Sequence, residues 1–161
     1  MTPAERKTLI AKYKAGYDEV VQSLAGIAPD ERDWRPAPGE WSAREVVHHL
    51  ADSETISGVR LRRLLIEDAP VIQGYDEADY ARRFRYQERS WEPALRAFEA
   101  ARSTTAQLLE AMTDADWGRA GTHSESGPYS AEAWLHIYAE HAHIHANQIR
   151  NNRSAWAARA R

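Results

Sequence analysis

Two histidines four residues apart are the clearest candidates for chemistry in this sequence. His141 and His145 lie within residues 133–150, a stretch that holds four of the seven histidines and contains no Gly or Pro. Because Ala, Leu, Glu and Gln favour helix, the stretch predicts a helix on which both imidazoles share one face. Two imidazoles placed in this way can bind one metal ion at little ordering cost. The same spacing also fits two half-buried histidines that bind nothing.

The other two histidines of this helix are expected on its outer face. His143 is turned by about 200° from His141, and His136 lies two turns before His143. A zincin protease has the motif H-E-x-x-H, but Ala142 occupies the position of its Glu here, so the sequence does not indicate a zincin protease. A catalytic metal site therefore needs a third ligand from another part of the chain.

His49 is the best candidate for that third ligand. Ser42 and Glu45 form a capping box and predict a helix that runs to about residue 66. With the apolar stripe of this helix centred near Leu50, His49 lies at the edge of the stripe and His48 points further out. We therefore expect His49 to face inward and His48 to be solvated.

Glu54 is predicted to face inward on the same helix. A buried carboxylate must be paired or functional. We favour an ion pair with an Arg of a neighbouring helix, and a general base is the alternative. Arg82, Arg83 and Arg85, in the connection that follows, could bind an anionic substrate, although a solvated position is commoner for each.

Four amphipathic helices must position these side chains. Capping signals place their starts at Thr2, Ser42, Ser90 and Ser130, and their expected ends lie before Pro29 and near residues 66, 112 and 152. Residues 67–89 form a long connection with a short helix near 76–84, and residues 113–129 are expected to be a loop. Such a pattern predicts an all-α four-helix bundle with one domain over residues 1–161. The 67–89 connection can cross the bundle, which makes the second and third helices parallel and the first and fourth antiparallel to them.

This arrangement brings the three histidines to one depth. His49 lies seven residues after Ser42, and His145 lies about seven residues before the expected end of the last helix. In antiparallel helices both are about 10 Å from the same end of the bundle. Three neutral imidazoles bind Zn²⁺ or Ni²⁺ and leave a position open for water or substrate. His123 is expected in a loop at the opposite end and is excluded.

Composition limits the classes of function. Apolar residues make up 43% and charged residues 28% of the chain, as in a folded globular protein. The net charge of −3 disfavours nucleic acid as a partner, and the absence of Cys excludes a thiolate site or a cysteine nucleophile. The amino terminus is too charged for a signal peptide and no apolar run would span a membrane, so a cytoplasmic protein is expected.

Two separated motifs resemble those of the DinB/YfiT-like family. They are the segment WSAREVVHHLADSE at residues 41–54 and His141-x-x-x-His145-x-x-Gln148-Ile149, and the resemblance extends over nearly the whole chain. It implies that the metal ligands are His49, His141 and His145, and that Gln148 supports a ligand or the fold. It also implies an up-down-down-up bundle with a long crossover between helices 2 and 3, and in many members a homodimer.

The chemistry that the resemblance implies is metal-dependent. Members include bacillithiol and mycothiol S-transferases, a mycothiol-dependent maleylpyruvate isomerase and proteins assigned provisionally as metal hydrolases. We therefore expect a divalent ion, Zn or Ni, and the transfer of a low-molecular-weight thiol as co-substrate to a small electrophilic molecule. The alternatives are a hydrolase in which the ion activates water and Glu54 is the base, and a non-enzymatic stress-related metal-binding protein.

Overall fold

The computed structural model describes residues 1–159, in which four long helices form a bundle. These are α1 (Pro3–Leu24), α3 (Ala43–Ile66), α5 (Glu92–Ala111) and α7 (Ala131–Ala158). Short elements occupy the connections: α2 (Pro29–Asp33), β1 (Val71–Ile72), α4 (Glu77–Arg83), α6 (Asp114–Trp117), β2 (Ala120–His123) and β3 (Gly127–Ser130). None of the helices in this part of the chain combines the length and apolar character needed to cross a membrane.

Contacts along α1 and α7 show that these two helices are parallel. Arg6, near the start of α1, pairs with Glu132, near the start of α7. Towards the other end, Arg153 donates to the carbonyl of Ser23. The first and last helices therefore point the same way, as expected.

The remaining contacts fix the directions of α3 and α5. Glu54 of α3 bonds Arg102 of α5. Further along both helices in the same direction, Arg62 contacts Thr105, so α3 and α5 are parallel. Trp134, near the start of α7, donates to the carbonyl of Ser57, in the second half of α3, so these helices are antiparallel. The predicted up-down-down-up connectivity is thus confirmed.

Local capping explains where three of the four long helices begin. Thr2 with Glu5 and Ser42 with Glu45 form complete capping boxes, and Ser130 accepts a bond from the amide of Ala133. The expected cap at Ser90 is wrong. Helix α5 begins at Glu92, and Trp91 occupies its N-cap position without a side-chain bond. The proline in its first turn is sufficient to start this helix.

Helix α6 and strands β2 and β3 occupy the region expected to be a loop at residues 113–129, and the two strands form a three-stranded sheet with β1 in the order β1-β2-β3. Strand β1 pairs in parallel with β2, and β2 pairs antiparallel with β3. Strands of two to four residues that contain Gly, Pro and His show no alternation of apolar and polar residues, so they give no strand signal.

One apolar residue of α3 lies outside the buried stripe of this helix. Val59 is 54% exposed, whereas Leu50, Leu61 and Leu64 are fully buried. Nine residues separate Leu50 from Val59, which is two and a half turns, so Val59 emerges on the opposite face.

Candidate metal centre

Three imidazoles converge between α3 and α7. His49 comes from α3 and His141 and His145 from α7, and one nitrogen of each lies within 4.8 Å of the others. Nε2 of His49 is 3.2 Å from Nε2 of His141. Two nitrogens on a tetrahedral zinc ion, each at about 2.0–2.1 Å, are about 3.3–3.4 Å apart. The group that the sequence predicted is therefore spaced to hold one ion.

Packing holds the rings in this arrangement. The ring centroids of His49 and His145 are 4.7 Å apart, and those of His141 and His145 are 4.6 Å apart. Trp41 packs on His49 at 4.7 Å and stacks on His145 at 6.5 Å. Since Trp41 directly precedes the Ser42 cap of α3, the local cap also positions the indole that covers two of the imidazoles.

Gln148 orients one of the three rings. Its side-chain oxygen lies 2.8 Å from Nδ1 of His145, one helical turn away. When Nδ1 carries the proton and donates it to this oxygen, Nε2 keeps its lone pair for an ion. Metal-binding histidines are commonly fixed by such a bond from the second ring nitrogen. The structure therefore gives Gln148 a contact with a candidate ligand.

Burial keeps the three histidines neutral. It lowers the pKa of His49 to about 3, with a smaller contribution from His145. Burial also lowers the pKa of His141 well below its ordinary value and lowers that of His145, where the bond from Gln148 acts in the opposite direction. Neutral imidazole is the form that binds metal ions, so protons do not compete for this site at neutral pH.

Within residues 1–159, no carboxylate or fourth imidazole belongs to this group. Structural zinc sites usually have four protein ligands, whereas catalytic sites have three and an open position. The donor set is thus of the catalytic kind.

A cavity of about 270 Å³ adjoins the group, and His141 forms part of its wall. Its buried or half-buried lining consists of Ser53, Arg60, Gly74, Tyr75, His123, Tyr129, Tyr138 and His141. Exposed side chains lie at its mouth, among them Glu77, Glu125 and Ile137. Larger grooves of about 650 and 660 Å³ lie elsewhere, and none of the three histidines lines either. The smaller cavity is therefore the candidate substrate site.

Two histidines are placed differently from their predictions. His123 lines the same cavity as His141, because the β2–β3 hairpin pairs with β1 and folds back over the bundle. It does not belong to the three-histidine group. His48 is only 2% exposed, and its ring stacks on Tyr86 at 5.3 Å. The crossover segment covers the side of α3 that appeared free in the sequence.

The arginines proposed for anion binding are not at the cavity. Arg82 and Arg83 pair with Asp79, and Arg85 pairs with Glu88, all on the surface. Arg60 lines the cavity and was missed. A signal was available, because eleven residues of α-helix turn through about three full turns and place Arg60 on the face of His49.

Glu54 forms the ion pair that we favoured. The carboxylate is fully buried, and its Oε2 accepts a 2.7 Å bond from Nη1 of Arg102, while its Oε1 accepts the hydroxyl of Tyr13. Burial raises the pKa of Glu54, and Arg102 and Tyr13 oppose that shift. Glu54 does not line the cavity, so it has no route to a substrate as a base.

Comparison with known proteins places these features in context. A sequence profile described as the DinB superfamily matches residues 12–149. The chain is 36% identical over 111 residues to a protein of Oceanobacillus iheyensis, and the match covers 69% of this chain and 64% of that protein. The name of that protein places it provisionally among metal-dependent hydrolases. The chain thus spans just under two thirds of the length of the first curated relatives it matches.

Solved structures share the fold. YfiT of Bacillus subtilis, provisionally a metal-dependent hydrolase, is 30% identical over 139 residues, which cover 84% of this chain and 78% of YfiT. Its structure has an unusual four-helix bundle topology and superposes with a TM-score of 0.88 at 24% identity over 94% of this chain and 87% of that one. A variant of a mycothiol-dependent maleylpyruvate isomerase superposes with a TM-score of 0.72 at 12% identity, over 92% of this chain and 63% of the isomerase.

Proposed function

Because this chain belongs to the DinB superfamily, we propose that it is a divalent-metal-dependent enzyme in which His49, His141 and His145 hold the ion. The observation that carries the proposal is the convergence of three neutral imidazoles, one buried and two half-buried, within 4.8 Å beside a small cavity. Three ligands leave the ion open to a substrate in that cavity. The provisional assignment of the relatives as metal-dependent supports the same conclusion.

A divalent ion in such a site is a Lewis acid, which lowers the pKa of a thiol or a water molecule that it binds. The protein supplies the remaining functions. Gln148 holds the proton of His145 on Nδ1, and Trp41 excludes water from one side of the rings. The cavity beside His141 positions the second reactant.

For the reaction we propose transfer of a low-molecular-weight thiol to a small electrophile. The chain contains no Cys, so a sulfur nucleophile must enter as a co-substrate. A thiol activated in this way needs no strong protein base, which agrees with the sequestration of Glu54 in its ion pair. The fold shared with a mycothiol-dependent isomerase is consistent with this chemistry.

Hydrolysis is the second candidate. Its support is the provisional name of the sequence relatives, together with Glu77, a titratable group at the cavity whose pKa is raised by burial. A carboxylate at this position can act as a general base towards a water molecule in the cavity. A hydrolase would act on its substrate without added thiol, which separates the two candidates. The homodimer remains a prediction for either one.

Metal content tests the proposal first. Elemental analysis of untagged protein should find about one divalent ion per chain, lost in His49→Ala and in His145→Ala while the fold survives. His136→Ala is the matched control, because His136 is on the same helix as His145 but is exposed. A folded wild type that takes up none of Zn²⁺, Ni²⁺ and Mn²⁺ would contradict the proposal.

A reaction screen then separates the two chemistries. The metal-loaded protein is mixed with a model electrophile and with bacillithiol, mycothiol, glutathione or coenzyme A in turn, and in parallel with an ester and amide panel. Consumption of the electrophile that requires both metal and thiol supports thiol transfer. Turnover of the ester or amide panel without thiol supports hydrolysis. Inactivity of fully loaded protein in both screens contradicts the assignment as an enzyme.

A further inference from the structure

Four buried polar atoms without a hydrogen-bond partner belong to residues that line one cavity. They are Nε of Arg60, Oη of Tyr75, Oη of Tyr129 and Nδ1 of His141, and they are all the buried side-chain nitrogens and oxygens of the described chain that lack a partner. Native proteins contain few such atoms, because burying a polar group without a bond is destabilising. Their concentration in the cavity beside His141 points to a binding site for a polar ligand.

Arg60 supplies the charge of this wall. Among residues 1–159, no carboxylate oxygen lies within 4.0 Å of its guanidinium group. Its Nη2 donates to the carbonyl of Gln73 at 2.6 Å and its Nη1 contacts Oη of Tyr138 at 3.4 Å, while the group lies 5.5 Å from the centre of the Tyr75 ring. These partners are neutral. The half-buried positive charge therefore has no direct ion-pair partner, although Glu77 at the mouth of the cavity interacts with it electrostatically, and Nε remains free to donate.

The two phenols add further donors. Burial raises the pKa of Tyr75 to about 12 and raises that of Tyr129 as well, so both hydroxyls are protonated at neutral pH. The acidic side chains of the cavity, Glu77 and Glu125, are exposed at its mouth. The interior is thus positive and donor-rich, and the mouth is negative.

We propose that this cavity binds the carboxylate of a small organic acid, with Arg60 as its ion-pair partner and Tyr75 and Tyr129 as hydroxyl donors. A carboxylate offers about four lone-pair positions and no hydrogen, which matches a wall of donors. The inference rests on the proposed function, because it takes the cavity beside His141 as the substrate site. The volume of about 270 Å³ equals about nine water molecules, so the acid is small.

Calorimetric titration of the metal-loaded, full-length protein tests the charge. The probes are acetate, succinate and benzoate, each beside its neutral amide. At least one acid should bind about tenfold or more tightly than its amide, and Arg60→Met should remove that difference. Arg62→Met is the matched control, since Arg62 lies on the same helix with the same charge but bonds Gly58 and Thr105.

Three outcomes would overturn the inference. One is the absence of binding by all three acids. Another is equal affinity for every acid and its amide. The third is a preference for the acid over its amide that does not depend specifically on Arg60. If Arg60→Met leaves this preference intact, the ion attracts the acid. If Arg62→Met reduces it equally, the general charge of the protein attracts the acid.

Removal of single hydroxyl groups separates binding from folding. Because Oη of Tyr129 has no protein partner, Tyr129→Phe should leave the melting temperature unchanged or raise it, while it weakens acid binding several-fold. Tyr86→Phe is the control, because it removes a hydroxyl that donates to Asp52 at 2.5 Å and that does not line the cavity. It should lower the melting temperature and leave binding unchanged. A Tyr129→Phe protein that is less stable but binds the acids normally would contradict the assignment.

The metal-free protein distinguishes this inference from the proposed function. The donor wall is built without the ion, so acid selectivity that depends on Arg60 should persist after the metal is removed. Retained selectivity in a protein that never takes up metal would contradict only the proposed function. Stoichiometric metal uptake without selectivity for acids would contradict only the inference about Arg60.

Discussion

Replacement of Glu54 by Gln tests whether this carboxylate serves the fold or the chemistry. Its Oε2 lies 2.7 Å from Nη1 of Arg102, and the side chains are 0% and 2% exposed. Arg102 also donates to the carbonyls of Tyr13 at 2.7 Å and Tyr138 at 3.1 Å, so it joins α1, α3 and α7 to its own helix. Glu54→Gln is nearly isosteric and leaves the guanidinium buried without its counter-charge.

The expected cost follows from this burial. Breaking a buried ion pair by removing one partner costs about 3–5 kcal/mol. An exposed pair such as Arg63 and Glu67, whose side chains are 35% and 40% exposed, contributes much less because solvent screens it. Glu54→Gln should therefore lower the free energy of unfolding several times more than Arg63→Gln does. The Glu54→Gln/Arg102→Met double variant should be less destabilised than the sum of its single variants, because no charge is left buried alone.

Urea denaturation of the metal-free protein, followed by circular dichroism, measures these differences, and metal content is measured on the same samples. We expect Glu54→Gln to bind the ion as wild type does, since Glu54 is outside the three-histidine group. A free energy of unfolding within about 0.5 kcal/mol of wild type would show that the carboxyl group is already neutral in the folded protein, and would refute the ion-pair reasoning. Normal stability with lost turnover would instead restore Glu54 as a catalytic group.

Three further predictions concern the site and its support. Gln148→Ala should weaken metal binding by about 10- to 100-fold, because His145 loses the bond that fixes its tautomer; competition with a chelator measures the change. In the metal-free protein, the pKa of His49 falls from 6.5 to about 3, so the folded chain binds fewer protons than the unfolded chain between these values. Its contribution to the free energy of unfolding is complete above pH 6.5 and is lost as the pH falls towards 3, which urea titrations at several pH values will show. Gly16→Ala should destabilise the bundle by about 1 kcal/mol or more, because its Cβ would lie 2.6 Å from Arg102 and 2.7 Å from Ala142.

Matched variants control these predictions. Asn147→Ala controls for Gln148→Ala, since Asn147 is exposed one residue away and bonds only Arg150 among its described contacts. The same pH series on His49→Ala should show a smaller loss of stability in acid than wild type. Gly26→Ala is a useful contrast to Gly16→Ala, because Gly26 has open space but a φ of +70°, so any cost there comes from the backbone. Equal effects of Gln148→Ala and Asn147→Ala, or equal loss of stability in acid for His49→Ala and wild type, would contradict the first two predictions. An unchanged free energy of unfolding in Gly16→Ala would contradict the third.

The three-histidine group was accessible from the sequence because its placement depends on local rules. A capping box fixes the start of α3, the 3.6-residue period fixes which face His49 and His145 occupy, and the rise per residue fixes their depth. The long 67–89 connection predicted parallel second and third helices in the same way. These features survive in the folded protein since each is set within one helix or by the length of one connection.

Local signals were insufficient where a segment acquires structure only by packing on another. The β1–β2–β3 sheet joins residues 71–72 with residues 120–130, and its short strands carry no periodic pattern. For the same reason, His123 was placed too far from the cavity, and His48 was expected in solvent although residues of the crossover cover it.

The sequence by itself therefore determined the bundle, its connectivity and the three histidines that face one another. The tertiary structure alone decided the wall of the cavity, where Arg60 of α3 meets Tyr75 of the crossover and Tyr129 of the hairpin. It also decided that Glu54 pairs with Arg102 in the core of the bundle. The physical reason is that helix faces are set by neighbours three and four residues apart, whereas partners and cavities are set by contacts between segments that are distant in the chain.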